Sequence, residues 1–325
     1  MPLKKLILAF AGWGIYCGIV FSVFAQEFPS KSIRLIVPFP AGGGADIIAR
    51  LYAQKLTELW SQQVIVDNRA GAAGNIGTEL AAKAPGDGHT WYLGTMGTLT
   101  VNPYLYKKLA FDVKKDFAPL THLVNVHFVF LAHPSLPVRS VSELVSFAKA
   151  HPDQITFSSS GAGGAPHLAG ELFIRLAGVK LLHIPYKGSG PSFADLLGGH
   201  VSTTFDSIVQ ALPYIQSHKL RALAVLGASR SALLPQMPTM MEAGIPKYDL
   251  TNWFALTVPS TVTKEVIGYS YSSLKKIAQN IELKNKLIGM GAEPVISTPE
   301  EFSLFLQSES IKWGKIVQSS AIKAE

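Results

Sequence analysis

Short apolar runs alternate along the chain with stretches whose apolar positions recur at helical spacing. Ile33–Val37 (IRLIV) is continuous and apolar, as expected of a strand buried on both faces. It breaks at Pro38-Phe39-Pro40-Ala41-Gly42-Gly43-Gly44. From Ala45, the positions Ile47, Ile48, Leu51, Leu56 and Leu59 predict a helix to about Trp60. Val64–Val66 reads as the next strand, Asn68–Gly74 as a loop opening a second helix, and Thr90–Thr95 as a third strand. The second half repeats the style, with strand Ile155–Ser158, helix His167–Ala177, strand Leu181–Ile184 and helix Pro191–Leu197. Strands Val201–Phe205 and Leu220–Leu226 follow. A last run, Asn252–Val258, leads into a helical region that continues to the C-terminus. Strands separated by helices predict βαβ units and a parallel sheet, here two α/β units with a helical tail. No repeat and no low-complexity segment interrupts them.

Composition narrows the class. A length of 325 residues suits two domains. Hydrophobic residues make up 48% and charged residues 16%, which excludes intrinsic disorder. The 28 Gly and 20 Pro would interrupt a coiled coil. One cysteine excludes a disulfide framework and any cysteine-rich metal site. The net charge of +7 is compatible with acidic small molecules, but the lysines are scattered. Lys107-Lys108, Lys114-Lys115 and Lys275-Lys276 are the densest pairs, so no basic stripe for nucleic acid is present.

Residues 1–25 read as a secretory signal. Lys4 and Lys5 are followed by the uncharged run Leu6–Phe24, and Val23-Phe24-Ala25 puts small residues at −3 and −1. A retained anchor is the competing reading, because the run approaches the roughly 20 residues needed to span a bilayer. Gly12, Gly14 and Gly18 weaken that helix, and Tyr16 is too bulky to precede a lipidated Cys17. The mature chain is therefore expected to be extracytoplasmic and without a thiol.

Two glycine-rich loops carry the candidate chemistry. Pro40–Asp46 lies between a strand and a helix, with Asp46 at the N-cap or in the first turn and Gly43 at the expected closest backbone approach. Ser158–His167 (SSSGAGGAPH) lies in the same position in the second half, with Pro166 suited to a first helical turn. Open amides at a helix N-terminus favour an anion, whereas each loop taken alone is also an ordinary βα turn. Two such loops imply a ligand in the crevice between two α/β halves, with Ala41–Ala45 and Gly161–Ala165 as backbone donors. Tyr186 and Asp206 are candidates from the second half, Asp206 for selectivity rather than as an anchor, because its charge repels a carboxylate unless it accepts a bond from a ligand amine or hydroxyl. Enzyme signatures are missing: there is no G-x-S-x-G, Walker A or H-E-x-x-H motif. His167 and Glu171 stand i, i+4 without a third metal ligand. A dinucleotide site ending at Asp67 lacks its last glycine, which is Ile47.

These residues resemble the Bug-type extracytoplasmic solute receptors, the substrate-binding proteins of tripartite tricarboxylate transporters. The matching segments include Phe28-Pro29-Ser30-Lys31, Val37-Pro38-Phe39 with Gly42-Gly43-Gly44 and Asp46, and Asp67-Asn68-Arg69 with Gly74-Asn75-Ile76-Gly77. Gly94-Thr95, Ser159-Ser160-Gly161 with His167–Glu171, Pro185–Gly188, Phe205-Asp206 and Lys312-Trp313 follow in order. The resemblance implies a two-lobe venus-flytrap fold of the periplasmic-binding-protein type (type II). Domain 1 is then 26–126 with 249–325, and domain 2 is 127–248. It also implies a small carboxylate held between lobes by Phe39, Ala41, Gly42, Gly43, Gly44, Ala45, Asp46, Thr95, Ser160, Gly161, Ala162, Gly163, Gly164, His167, Tyr186 and Asp206. No cofactor or metal is implied, and the chain is expected to act as a monomer without nucleic acid. The implied partner is a membrane permease; an orphan receptor feeding a signalling partner, or an enzyme acting on a small anion, are the alternatives. Ala45 and Gly164 stand where the family commonly has hydroxyl residues, so two donors are missing here.

The intact mass of protein exported by a bacterial host should begin at Gln26. A mass retaining residues 1–25 rejects signal cleavage.

Overall fold

The computed structural model describes residues 28–319, so the expected signal segment lies outside the described residues. Eleven strands are described in chain order: β1 (Ile33–Val37), β2 (Val64–Asn68), β3 (Thr90–Thr95), β4 (Phe117–Val126), β5 (Phe128–Ala132) and β6 (Thr156–Ser159). They continue as β7 (Leu182–Pro185), β8 (Thr203–Ser207), β9 (Arg221–Val225), β10 (Asn252–Pro259) and β11 (Ala292–Pro294). They form two sheets, one of order β11-β4-β10-β3-β1-β2 and one of order β7-β6-β8-β5-β9.

The expected purely parallel sheets are corrected to mixed ones. β1 runs parallel to β2 and β3, and β6 parallel to β7 and β8. β10 is antiparallel to β3 and β4, and β5 is antiparallel to β8 and β9. The antiparallel members come largely from residues 117–132, where the sequence pattern signalled no strand. Pro119, His122 and Asn125 interrupt the apolar run of β4. Proline is tolerated there because β11 pairs with β4 only over Val124–Val126, leaving the edge beside Pro119 open.

Helices join the strands as the periodicity predicts. The Gly44–Trp60 helix buries Ile48, Ala49, Tyr52, Ala53 and Leu56. It stops at Ser61, whose left-handed backbone (φ 53°) lets its N–H bond Thr57 O. Val64 N then donates to Thr57 Oγ1 at 3.0 Å, tying the helix end to the start of β2. The second-half helix begins at Ala165, two residues earlier than its apolar periodicity indicated. The C-terminal region is also less uniformly helical than expected, since β11 interrupts it.

One apolar core runs through both sheets, from Ile36 and Tyr92 to Phe130, Phe157 and Phe205. Phe130 and Phe205 stack 4.0 Å apart across β5 and β8. The last helix, Pro299–Ser319, is fastened to the first sheet by Glu309. Its Oε2 accepts Trp253 Nε1 at 3.1 Å and Trp313 Nε1 at 3.0 Å. Glu309→Ala leaves both buried indole N–H groups without an acceptor. It should lower the unfolding free energy by about 2 kcal/mol in denaturant titration, with Glu309→Gln losing less. An unchanged midpoint in the alanine variant shows that the helix is anchored otherwise.

Candidate functional site

The chain passes between the two sheets twice, at His127 between β4 and β5, and through residues 226–251 between β9 and β10. A cavity of about 450 Å³, including its mouth, lies where the strand ends of both sheets meet. Phe39, Gly43, Gly44, Ala45, Thr95, Phe128, Ser160, Ala165, Pro166, Ser189, Asp206, Ser207, Asn252 and Phe254 line it.

Four helices begin at this cavity. Gly44 and Ala45 open the Gly44–Trp60 helix, and Ala165 and Pro166 open Ala165–Ala177. Ser189 opens Ser189–Leu197, and Ser207 caps Ile208–Gln216. The first three have glycine N-caps, Gly43, Gly164 and Gly188, with no side-chain cap. Their leading N–H groups have no intrahelical acceptor, and the helix dipoles add positive potential at the same end. Only the fourth is capped by its own side chain, Ser207 Oγ accepting Val209 N at 3.2 Å. This arrangement favours a small anion.

Asp46 supports the first loop from behind. Its Oδ2 accepts Gly42 N at 3.0 Å and Arg50 Nε at 2.9 Å, and Oδ1 accepts Asn68 Nδ2 at 3.0 Å. Burial raises its pKa, but the bonds from Arg50, Gly42 and Asn68 outweigh this and hold it below the usual carboxylate range. Asp46 and Gly42 thus shape the loop, while Gly43, Gly44 and Ala45 reach the cavity. Within the protein, Gly44 makes the tighter contact with the opposite lobe. A Cβ on Gly44 would stand 2.9 Å from Ser207 Oγ, whereas one on Gly43 meets nothing closer than 3.7 Å.

In the second loop, Ser160 lines the cavity and most of the backbone is already engaged. Gly161 N donates to Ser159 Oγ, Gly163 N to His167 Nδ1 at 2.9 Å, and Gly164 N to Gly161 O. Of the amides expected as donors, these three are therefore spent inside the loop. His167 stacks on His183 at 4.0 Å, and its Nε2 stands 3.5 Å from Glu171, so it braces the loop. Burial, and then the neighbouring His167, holds His183 down at about 3, keeping that imidazole neutral. Gly161, Ala162 and Tyr186 line an adjoining pocket with Phe39 and Ser160. The Tyr186 hydroxyl donates to Asp195 Oδ2 at 2.6 Å. Burial first, and then Asp195, pushes its pKa up to about 12.

Asp206 is 2% exposed and ends β8 at the cavity. Its Oδ1 accepts Ser207 N at 2.6 Å. Burial pushes its carboxyl up to about 6, against the opposing effects of the Ser189 hydroxyl and Ser207 N–H. Sequence reasoning missed Phe128, Ser189, Ser207, Asn252 and Phe254. Ser207 was the most accessible of these, since a serine between a strand and a helix is an N-cap signal.

Residues 48–322 match the profile of the tripartite tricarboxylate transporter family receptor. The chain belongs to that family. Protein BugT of Bordetella pertussis is 34% identical over 324 residues, covering 99% of each chain. The structure of Rpa4515 of R. palustris with adipate superposes with a TM-score of 0.89 at 33% identity, covering 92% of this chain and 100% of that one. MatC (Rpa3494) of Rhodopseudomonas palustris with bound malate gives 0.85 at 28% identity, covering 89% and 100%. This receptor is thus a two-lobed solute-binding protein of the Bug type.

The raised pKa of Asp206 fixes a sign. The folded protein holds that proton to about pH 6, well above the ordinary aspartic acid range. Folded stability therefore rises as pH falls through this window. Asp206→Asn should stabilise the ligand-free receptor on the order of 2 kcal/mol at pH 7.5, the gain falling to about half by pH 5 and vanishing below about pH 4. Thermal unfolding at the two pH values checks it. Equal gains at both, or none, reject the assignment.

Proposed function

We propose that this receptor captures a small mono- or dicarboxylate in the cavity between its lobes, outside the cytoplasmic membrane, and delivers it to the permease subunits of a tripartite transporter. The convergence of helix N-termini on one cavity carries this reading, because the open N–H donors of the three glycine-capped helices and the aligned dipoles of all four suit a carboxylate. The amides of Gly43, Gly44, Ala45 and Ala165, with the hydroxyls of Thr95, Ser160, Ser189 and Ser207, are the groups proposed to hold it. Bridging waters can replace the hydroxyls missing at Ala45 and Gly164. Adipate in Rpa4515 and malate in MatC support the same ligand class. We place the lobe boundaries at 126/127 and 248/249, beside the two crossings of the chain. Capture without conversion fits His167, whose ring nitrogens face Gly163 and Glu171.

Closure of such lobes on a ligand is a hinge motion about the crossing segments. Small-angle scattering should show a smaller radius of gyration with ligand, and mass spectrometry should recover the ligand unchanged. In a thermal-shift screen, an acid at about 100 times its Kd should add roughly 2.7 kcal/mol. Gly44→Ala should weaken binding by about tenfold or more, because its Cβ meets Ser207 across the cleft, whereas Gly43→Ala should change it little. Shifts with neutral sugars or NAD but not with aliphatic acids overturn the proposal.

A further inference from the structure

The cavity that collects helix N–H donors also presents acceptors that no protein group satisfies. Asp206 Oδ2 and Asn252 Oδ1 are both fully buried atoms without a hydrogen-bond partner. Their residues are 2% and 3% exposed and both line the cavity. Ser189 stands near enough to stabilise the Asp206 anion, without completing a hydrogen bond to Oδ2. A third lone acceptor, Gln210 Oε1, lies 3.9 Å from where a Cβ on Gly43 would be.

These acceptors are a poor match for a plain alkanoate. An unsubstituted acid, fully ionised, brings only acceptors of its own, and placing them beside Asp206 adds like-charge repulsion. The donors on the helix ends suit its carboxylates, but the buried oxygens of Asp206 and Asn252 would stay unpaired, which is costly. A ligand carrying an N–H or O–H near a carboxylate satisfies both sets.

The two residues come from opposite sheets, Asp206 from β8 and Asn252 from β10. A ligand donor that reaches both oxygens would be gripped from both lobes, which would couple its recognition to closure. Resting on the carboxylate reading above, we propose that the preferred ligand is a hydroxy- or amino-carboxylate. An ammonium group, with three protons, can donate to both the Asp206 carboxylate and the Asn252 side-chain carbonyl, whereas a hydroxyl, with one, donates to either of them. Sites built to hydrogen-bond a substrate group discriminate strongly against analogues that lack it.

Calorimetry on the mature receptor with two matched series tests this: succinate, malate and aspartate, then glutarate, 2-hydroxyglutarate and glutamate. Within at least one series, a hydroxy or amino acid should bind tenfold or more tighter than the unsubstituted acid. Asp206→Asn and Asn252→Ala, each checked for a wild-type circular dichroism spectrum, should shrink that ratio to about threefold or less. The unsubstituted acid should bind Asp206→Asn more tightly than wild type, because the like charge beside it is gone. Unsubstituted acids binding wild type as tightly as their substituted partners overturn the inference and leave the carboxylate reading standing. A ratio that survives in both variants overturns the assignment to Asp206 and Asn252. If no acid of either series binds, the carboxylate reading falls and this inference falls with it.

Discussion

The site depends on helix N-termini whose donors have been left unspent. In each α/β unit a helix begins beside the carboxyl end of a strand, and two sheets facing each other bring four such beginnings to one cavity. Glycine N-caps at Gly43, Gly164 and Gly188 keep three of these ends open. A serine or aspartate at those positions would satisfy the same amides internally and remove them from any ligand. The loop before the first helix still needs an anchor, and Asp46 supplies it from the side away from the cavity. Its carboxylate is saturated by Gly42, Arg50 and Asn68, so it stiffens the loop without adding free negative charge to the cavity.

Against that positive end stands one carboxylate with poor compensation. Asp206 is as buried as a core residue, yet one of its oxygens has no partner, and burial raises its affinity for a proton. Folding alone does not explain such a group, because an apolar or amide residue there would be more stable at neutral pH. Perturbed, under-satisfied groups of this kind concentrate at functional sites. The same cavity therefore joins attraction for a carboxylate with a demand for a donor on the ligand.

Closeness between lobes is held by small residues. Gly44 lies against Ser207, and Gly188 lies against Pro40, each contact joining a residue of one sheet's connections to one of the other's. Tyr106 adds a polar tie, its hydroxyl donating to Ala162 O at 2.8 Å in the second loop. His127, at one of the two crossings, bonds Glu293 at 2.9 Å. Motion between the lobes must therefore work through a few backbone positions and a handful of polar ties.

Local pattern determined much of the molecule. The runs IRLIV and TWYLGT are apolar because their strands are covered on both faces, and the spacing of Ile48, Tyr52 and Leu56 follows from a helix packed on one side. The two glycine loops were visible because a βα turn that must leave amides open has few other residues to use. The order of those signals also carried the family resemblance. What the sequence could not contain was which amides remain open and which residues meet across the cleft. Gly161, Gly163 and Gly164 look like donors in one dimension, but Ser159, His167 and the loop's own carbonyl take them in three. Asn252, Phe254 and Ser207 are all far along the chain from the first loop and join it only through the tertiary arrangement. β4 escaped notice because polar residues break its apolar run, and its proline is tolerable only where the tertiary arrangement leaves the neighbouring edge open. Local periodicity reports burial of each segment, whereas long-range pairing decides partners, and the binding cavity is made of partners.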